Sequence, residues 1–252
     1  MRKTLRPYRP KHKKLATNEG RDFCFACRKI PQDCLCQDIP SIDNNIALAM
    51  LQHPHERTMP ISTGKLTFKS LTNAIFRSGV SFDQDKVFED WVTTYKTPVL
   101  LFPSPQAIDI ADVDPPDALI VLDGTWREAK KMRFLSQNLQ ALPQVKFVAP
   151  HPSRYRIRKE PHPEFFSTIE AVHHCLSWWD KDCSYDDLLK LFDKMVEKQL
   201  AYIGKNTRHQ GRRERREEQQ KRNKVRKWLY SMGPNKRMEI LQSLSIEELK
   251  EL

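Results

Sequence analysis

The stretch "ALIVLDGTWREAKKM", residues 118–132, decides how this chain is read. Leu119 to Leu122 form an unbroken apolar run. Such a run fits a strand buried on both faces, as in a parallel sheet, rather than the alternation of a half-exposed strand. Beyond it, Trp126, Ala129, Met132 and Leu135 recur at threefold spacing, which predicts a helix with one apolar stripe. Asp123, Gly124, Thr125 and Trp126 fill the turn between the two. In open α/β sheets ligands bind at the carboxyl ends of strands, in the loops that lead into helices. This turn is therefore a candidate site. Asp123 also suits a helix N-cap, and Trp126 suits packing onto the sheet; the residues alone leave both open.

Working outward, the same alternation repeats. Strand-like runs are IALAMLQ (46–52), TPVLLFP (97–103) and QVKFVA (144–149), and helix-like runs cover 64–77, 125–138, 167–179 and 185–203. Together they predict an α/β domain over 39–204, with a mostly parallel sheet and helices on both faces. The flanks differ. Residues 1–22 carry Arg2, Lys3, Arg6, Arg9, Lys11, Lys13 and Lys14 with little to bury, which predicts a flexible basic arm. Residues 205–252 open with a basic stretch in which Glu217 and Lys221, and Glu218 and Arg222, stand four apart. That predicts a solvated helical extension, ending with a capping box at Ser245–Glu248.

The net charge of +11 over 252 residues favours a polyanionic partner, nucleic acid first. No apolar run is long enough to cross a bilayer, and the basic start has no apolar segment of a secretory signal. The expectation is a cytoplasmic protein without a membrane, whose six cysteines are thiols or metal ligands rather than disulfides.

"CFACRKIPQDCLC" places Cys24, Cys27, Cys34 and Cys36 in the spacing C-x2-C-x6-C-x-C. Four thiolates so close in sequence can close a tetrahedral zinc site. An iron–sulfur cluster is the other metal reading. A segment this short, 23–38, has little core, so metal binding would supply its folding energy. Cys175 and Cys183 lack partners at ligand spacing and read as packing residues.

Three further groups stand out. His53, His55 and Glu56 offer metal ligands or proton carriers, although a His on a loop is more often only hydrogen-bonded. Ser62, Thr63 and Gly64 open a helix, where backbone N–H groups can hold an anion or Ser62 can simply cap. Arg154, Arg156, Arg158 and Lys159 surround Tyr155, a mixture suited to phosphate and base contacts. Downstream, Ser167 and Glu170 fit a capping box.

Read together, the Asp123-Gly124-Thr125-Trp126 turn, the upstream cysteines, "QHPHE…STG", "LLFPSP" and "STIEA" fall in the order shown by the DTW-domain family. Over about residues 22–200 the chain resembles bacterial tRNA-uridine aminocarboxypropyltransferases. These move the 3-amino-3-carboxypropyl group of S-adenosylmethionine to N3 of a tRNA uridine, typically in the variable loop. The resemblance implies a relation to SPOUT enzymes, whose sheet carries a trefoil knot. It implies cofactor contacts at Ser62 and Thr63, Pro103 and Ser104, Leu122, Gly124, Thr125 and Trp126, Val148, and Ser167, Thr168 and Glu170. Candidate RNA contacts are Arg127, Lys130, Arg154, Tyr155 and Arg158.

The implied chemistry sets its own demands. The nucleophile must be aimed at the γ-carbon rather than the methyl of the sulfonium. Uridine N3 is protonated at neutral pH, so a general base is required. Asp123 is the expected base, in a dry setting beside Trp126 that raises its basicity. N3 lies on the pairing edge, so the base must be unpaired or flipped out. The competing readings are a SPOUT-type RNA methyltransferase and a zinc-bearing RNA-binding protein without catalysis.

Overall fold

A computed structural model describes residues 16–18, 21–24, 27, 29–59, 62–155, 157 and 166–205. The chain divides into two units, Met1–Lys198 and Gln199–Leu252. The sheet and every site described below belong to the first. Most of the expected basic arm, the extension after residue 205, and Arg156, Arg158 and Lys159 lie outside the described residues. Within the stretch expected to be an arm, β1 (Ala16–Asn18) and β2 (Arg21–Phe23) pair antiparallel.

The expected α/β domain is present. Its strands are β3 (Ala47–Gln52), β4 (Ala74–Ser78), β5 (Pro98–Leu101), β6 (Ile108–Asp109), β7 (Ala118–Asp123) and β8 (Gln144–Lys146). They form one sheet in the order β4-β3-β7-β5-β8-β6, and every pairing in it is parallel. The helices are α1 (Thr63–Ser70), α2 (Lys86–Val92), α3 (Trp126–Leu135), α4 (Gln137–Gln140), α5 (Thr168–Trp179) and α6 (Asp186–Lys205).

Burial explains the unbroken apolar runs. Ala49, Leu51, Leu100 and Ile120 pack with Phe82, Phe88, Ala129, Met132 and Leu139 in one cluster. Neighbouring strand residues point the opposite way, yet Leu48, Met50, Leu119 and Val121 are buried as well. Both faces are therefore covered: α2, α3 and α4 contribute to the first cluster, while α1 lies against β3 and β4 and α5 against β7.

The helix expected over 64–77 is a correction. It stops at Ser70, and Ala74–Ser78 is the edge strand β4. The Asn44 side chain holds the changeover, accepting from the Asn73 amide at 2.9 Å and donating to the Asn73 carbonyl at 2.9 Å. "AIFRS" then pairs with β3. A short run with β-branched and aromatic residues is ambiguous between the two periods, and sheet pairing decided it. The helix expected over 125–138 breaks at Ser136, whose hydroxyl accepts from the Phe82 amide at 3.0 Å.

Candidate active site and metal centre

The strand registers set the site. Gln52 sits beside Asp123, and Leu101 lies beside both Val121 and Val145. Parallel neighbours share an edge, so the turns after β3, β5, β7 and β8 open side by side at the carboxyl ends of the strands.

Asp123 is buried, with 4% of its surface exposed. The Thr168 hydroxyl donates to its Oδ1 at 2.7 Å, and Gln52 Nε2 donates to its Oδ2 at 2.7 Å. The same Gln52 nitrogen donates to Ser62 Oγ at 2.9 Å, and Ser62 caps α1 by accepting from the Lys65 amide at 3.2 Å. Thr168 opens α5. The carboxylate thus lies where the N-termini of two helices converge, and both dipoles favour negative charge there. Gly64 makes the approach possible: a Cβ at that position would lie 2.3 Å from Asp123 Oδ2. Burial pushes the Lys65 amine below its usual range, with Asp123 pulling the other way. Asp123 does not cap α3. It ties β7 to β3, α1 and α5.

Thr125 takes the capping role instead, in a capping box with Glu128. Glu128 Oε2 accepts from the Thr125 amide at 2.9 Å and hydroxyl at 2.8 Å. Its other oxygen lies 2.9 Å from His55 Nδ1 and 3.2 Å from His53 Nδ1. Burial alone would raise the Glu128 carboxyl, but the bonds from Thr125 and His55 hold it below the usual carboxylate range. The sequence grouped these histidines with Glu56; the fold gives them Glu128. The backbone amide of His53 donates to the Asp123 carbonyl at 2.9 Å, so the cluster stands directly on the Asp123 turn. Trp126 is half-buried and meets Phe102 edge-on with ring centres 6.4 Å apart, joining this turn to the Pro103–Ser104 turn.

The other expected cofactor residues are distributed as follows. Ser104 is buried, and its Oγ has no hydrogen-bond partner among the described residues; Gln52 Oε1 is in the same condition. Thr63 is buried, Leu122 and Gly124 are half-buried, and Pro103 and Val148 are exposed. Glu170 is buried and fully engaged: it accepts from the Ser167 amide and hydroxyl, the Ser153 hydroxyl and the Arg154 amide, all within 2.9 Å. It fastens the 153–154 loop to the start of α5.

Among the expected RNA contacts, Arg127 and Lys130 are exposed on α3. Arg154 pairs with Asp193 at 2.9 Å, and Tyr155 packs edge-on against buried Phe192. These two pin their loop to α6. Gln52 and Glu128 are the site residues that sequence reasoning missed. Gln52 carried the clearest signal, as the lone polar residue closing an apolar strand.

The four cysteines of 24–36 converge. Cys24 and Cys36 sulfurs are 3.9 Å apart, Cys27 and Cys34 sulfurs 3.7 Å apart, and all four lie within 4.8 Å of one another. A tetrahedron with metal–sulfur bonds of about 2.3 Å has edges of about 3.8 Å, so the set has the geometry of a tetrahedral metal centre. Without a cation, burial and the neighbouring thiols push the Cys36 thiol far up. Lys198 Nζ donates to the Cys34 carbonyl at 2.7 Å, and Lys194 pairs with Asp38, so α6 braces the knuckle.

A DTW-domain family model matches residues 21–200. The chain belongs to the DTW-domain family. Curated relatives include tRNA-uridine aminocarboxypropyltransferase 2 of Drosophila melanogaster, 29% identical over 166 residues, covering 62% of this chain and 66% of that protein. The protein of the same name from Mus musculus is 28% identical over 196 residues, covering 73% and 65%. tRNA-uridine aminocarboxypropyltransferase A of Arabidopsis thaliana is 27% identical over 220 residues, covering 73% and 83%. The chain thus spans just under two thirds of the fly and mouse proteins. No solved structure matches it.

Proposed function

We propose that this DTW protein transfers the 3-amino-3-carboxypropyl group of S-adenosylmethionine to N3 of a tRNA uridine, in the variable loop. One observation carries the reading. The turns after β3, β5 and β7 and the start of α5, all within the family-matched region, meet on one edge of a parallel sheet.

The residues present fit the donor. Ser104 Oγ and Gln52 Oε1 are buried polar atoms on that edge without partners among the described residues, which a bound polar ligand can satisfy. Ser62, Thr63, Pro103, Ser104, Leu122, Gly124, Thr125, Trp126, Val148, Ser167 and Thr168 would line its site, with Glu170 fixing the start of α5. S-adenosylmethionine supplies an electrophilic γ-carbon beside a sulfonium. The N-terminus of α1 is suited to the α-carboxylate. Asp123, engaged on both oxygens, holds the starts of α1 and α5 in register on that edge; orientation of the bound donor would then select the γ-carbon over the methyl. Arg127 and Lys130 offer phosphate contacts, with Arg154, Tyr155 and Arg158 as further RNA candidates.

Zinc belongs in the Cys24–Cys27–Cys34–Cys36 centre, as a structural ion. The SPOUT relation and its knotted crossing are what the family resemblance implies for this parallel sheet. No described helix is long and apolar enough to cross a membrane, and a tRNA substrate agrees with a cytoplasmic site of action.

The test is to incubate the purified protein with S-adenosylmethionine and unmodified tRNA and to identify both products. Aminocarboxypropyl transfer releases methylthioadenosine and leaves an aminocarboxypropyluridine. Release of S-adenosylhomocysteine with a methylated nucleoside would replace this reading with methyl transfer.

A further inference from the structure

Resting on that function, the structure carries the reaction one step further. The N3 proton needs an acceptor that the RNA can reach. Asp123 is 4% exposed and already accepts from Thr168 and Gln52. On the same turn His53 is buried, but His55 is open to solvent. The His55 side chain is 77% exposed, and its Nδ1 lies 2.9 Å from Glu128 Oε1. Glu128 is anchored through its other oxygen by the Thr125 amide and hydroxyl. In the tautomer that donates Nδ1–H to this carboxylate, Nε2 is the nitrogen that accepts a proton. The arrangement is that of a base oriented by a third, anchored group. His53 stands beside it at 4.9 Å between ring centres, its Nδ1 accepting from the His55 amide at 3.3 Å. Gly124 is packed between the two partners: a Cβ there would lie 3.2 Å from Glu128 Cβ and 3.3 Å from His53 Cβ.

We propose that His55, oriented by Glu128, is the base that takes the proton from uridine N3. The N3–H bond breaks and its proton goes to His55 Nε2. The N3 electron pair forms the bond to the donor γ-carbon, and the carbon–sulfur pair leaves with sulfur as neutral methylthioadenosine. Glu128 balances the imidazolium until solvent takes the proton. Glu128 acts through His55 and is a positioning residue.

The experiment compares parent, His55→Ala and Glu128→Gln, full-length, for methylthioadenosine release with tRNA, S-adenosylmethionine affinity, melting temperature and metal content. Gln preserves a capping box, so Glu128→Gln removes the charge while α3 stays capped. His55→Ala should lower kcat by roughly 100- to 10,000-fold, the usual range for a positioned base, with donor affinity and melting temperature unchanged. Added imidazole should restore part of the rate. Glu128→Gln should lower kcat less and leave the KM for tRNA unchanged. Full activity in His55→Ala overturns the proposal alone. So does a loss that imidazole does not restore, or a second metal ion bound by His53, His55 and Glu128 in the parent. A parent that releases no methylthioadenosine overturns the function, and the base assignment with it.

Discussion

The cysteine knuckle and the Asp123 turn are both clusters of polar side chains, and they are satisfied in opposite ways. The four sulfurs of the knuckle face one another, and the backbone N–H groups of Lys29 and Cys36 reach Cys27 and, at 3.5 Å, Cys34. Lys29 is a cation close enough to act on Cys27, Cys34 and Cys36, but one ammonium cannot balance four thiolates, so the cluster calls for a metal cation. At Asp123 the protein supplies the partners itself: a hydroxyl, an amide and the starts of two helices surround one carboxylate. Convergence of functional groups is therefore a poor guide to chemistry until their partners are counted. Groups that the fold leaves to a ligand act on it, and groups that the fold satisfies hold the shape in which others act.

Removing a ligand from the first region should have the largest effect. Cys34→Ser should bring bound zinc from one ion per chain to none by elemental analysis. Apparent binding energies of structural zinc are about 10–16 kcal/mol, far beyond what so short a segment can replace, so the knuckle should become protease-sensitive. Equal zinc in variant and parent would break the comparison at its first half.

Gly64→Ala comes next. In an ordinary helix this change stabilises by up to about 1 kcal/mol. Here the added Cβ would lie 2.3 Å from Asp123 Oδ2, so the sign should reverse, with a loss of about 3 kcal/mol in denaturant unfolding and of most transferase activity. A stabilised variant would show that α1 and Asp123 are not in the contact described.

Asp123→Asn is the sharper probe of the second region. Asn can still accept from Thr168, but its amide nitrogen would meet Gln52 Nε2, donor against donor. Turning Gln52 over lets its Oε1 accept from the Asn amide and the Ser62 hydroxyl, but moves its amide nitrogen to the buried position where Oε1 has no partner among the described residues. The expected cost is about 2 kcal/mol of stability. As an anchor, the folded variant should keep activity to within about tenfold, equivalent to roughly 1.4 kcal/mol of transition-state energy. A fall of roughly 100- to 10,000-fold at unchanged donor affinity would restore Asp123 to the role of base.

Much of this was legible in the sequence because it depends on neighbours in the chain. The knuckle is written in a spacing, β7 in an apolar run, and the Ser167–Glu170 box in a three-residue step. What could not be read depends on distant pairs. Gln52 and Asp123 are 71 residues apart, Thr168 and Asp123 45, and His55 and Glu128 73. The Asp123 turn could be located from the sequence, but the state of its carboxylate could not, since every donor to it comes from another element. β4 was lost for the same reason: its partner strand, not its own pattern, made it a strand.

Asp180 provides the control, a carboxylate satisfied by the protein and far in sequence from the candidate turns. Its Oδ2 accepts from the Tyr185 hydroxyl at 2.6 Å, and Asn45 donates to it through backbone and side chain at 3.3 Å each. Burial alone would raise its carboxyl, but the bonds from Tyr185 and Asn45 outweigh burial and hold it below the usual range. A depressed folded-state value means that ionised Asp180 stabilises the fold above the ordinary Asp value of about 3.9. That contribution is lost as pH falls through the lower folded-state value. Tyr185→Phe removes the shortest donor while leaving both Asn45 bonds, so it should cost about 1 kcal/mol at neutral pH. The gap between variant and parent should close as the medium is acidified below the carboxylate range. Transferase activity at neutral pH should stay at the parent level, because no candidate turn touches this network. A neutral-pH cost that persists unchanged in acid would mean that the Tyr185 ring, not its hydrogen bond to an ionised carboxylate, carries the stability. Lost activity would mean that anchoring carboxylates influence the site from farther away than the Asp123 turn requires.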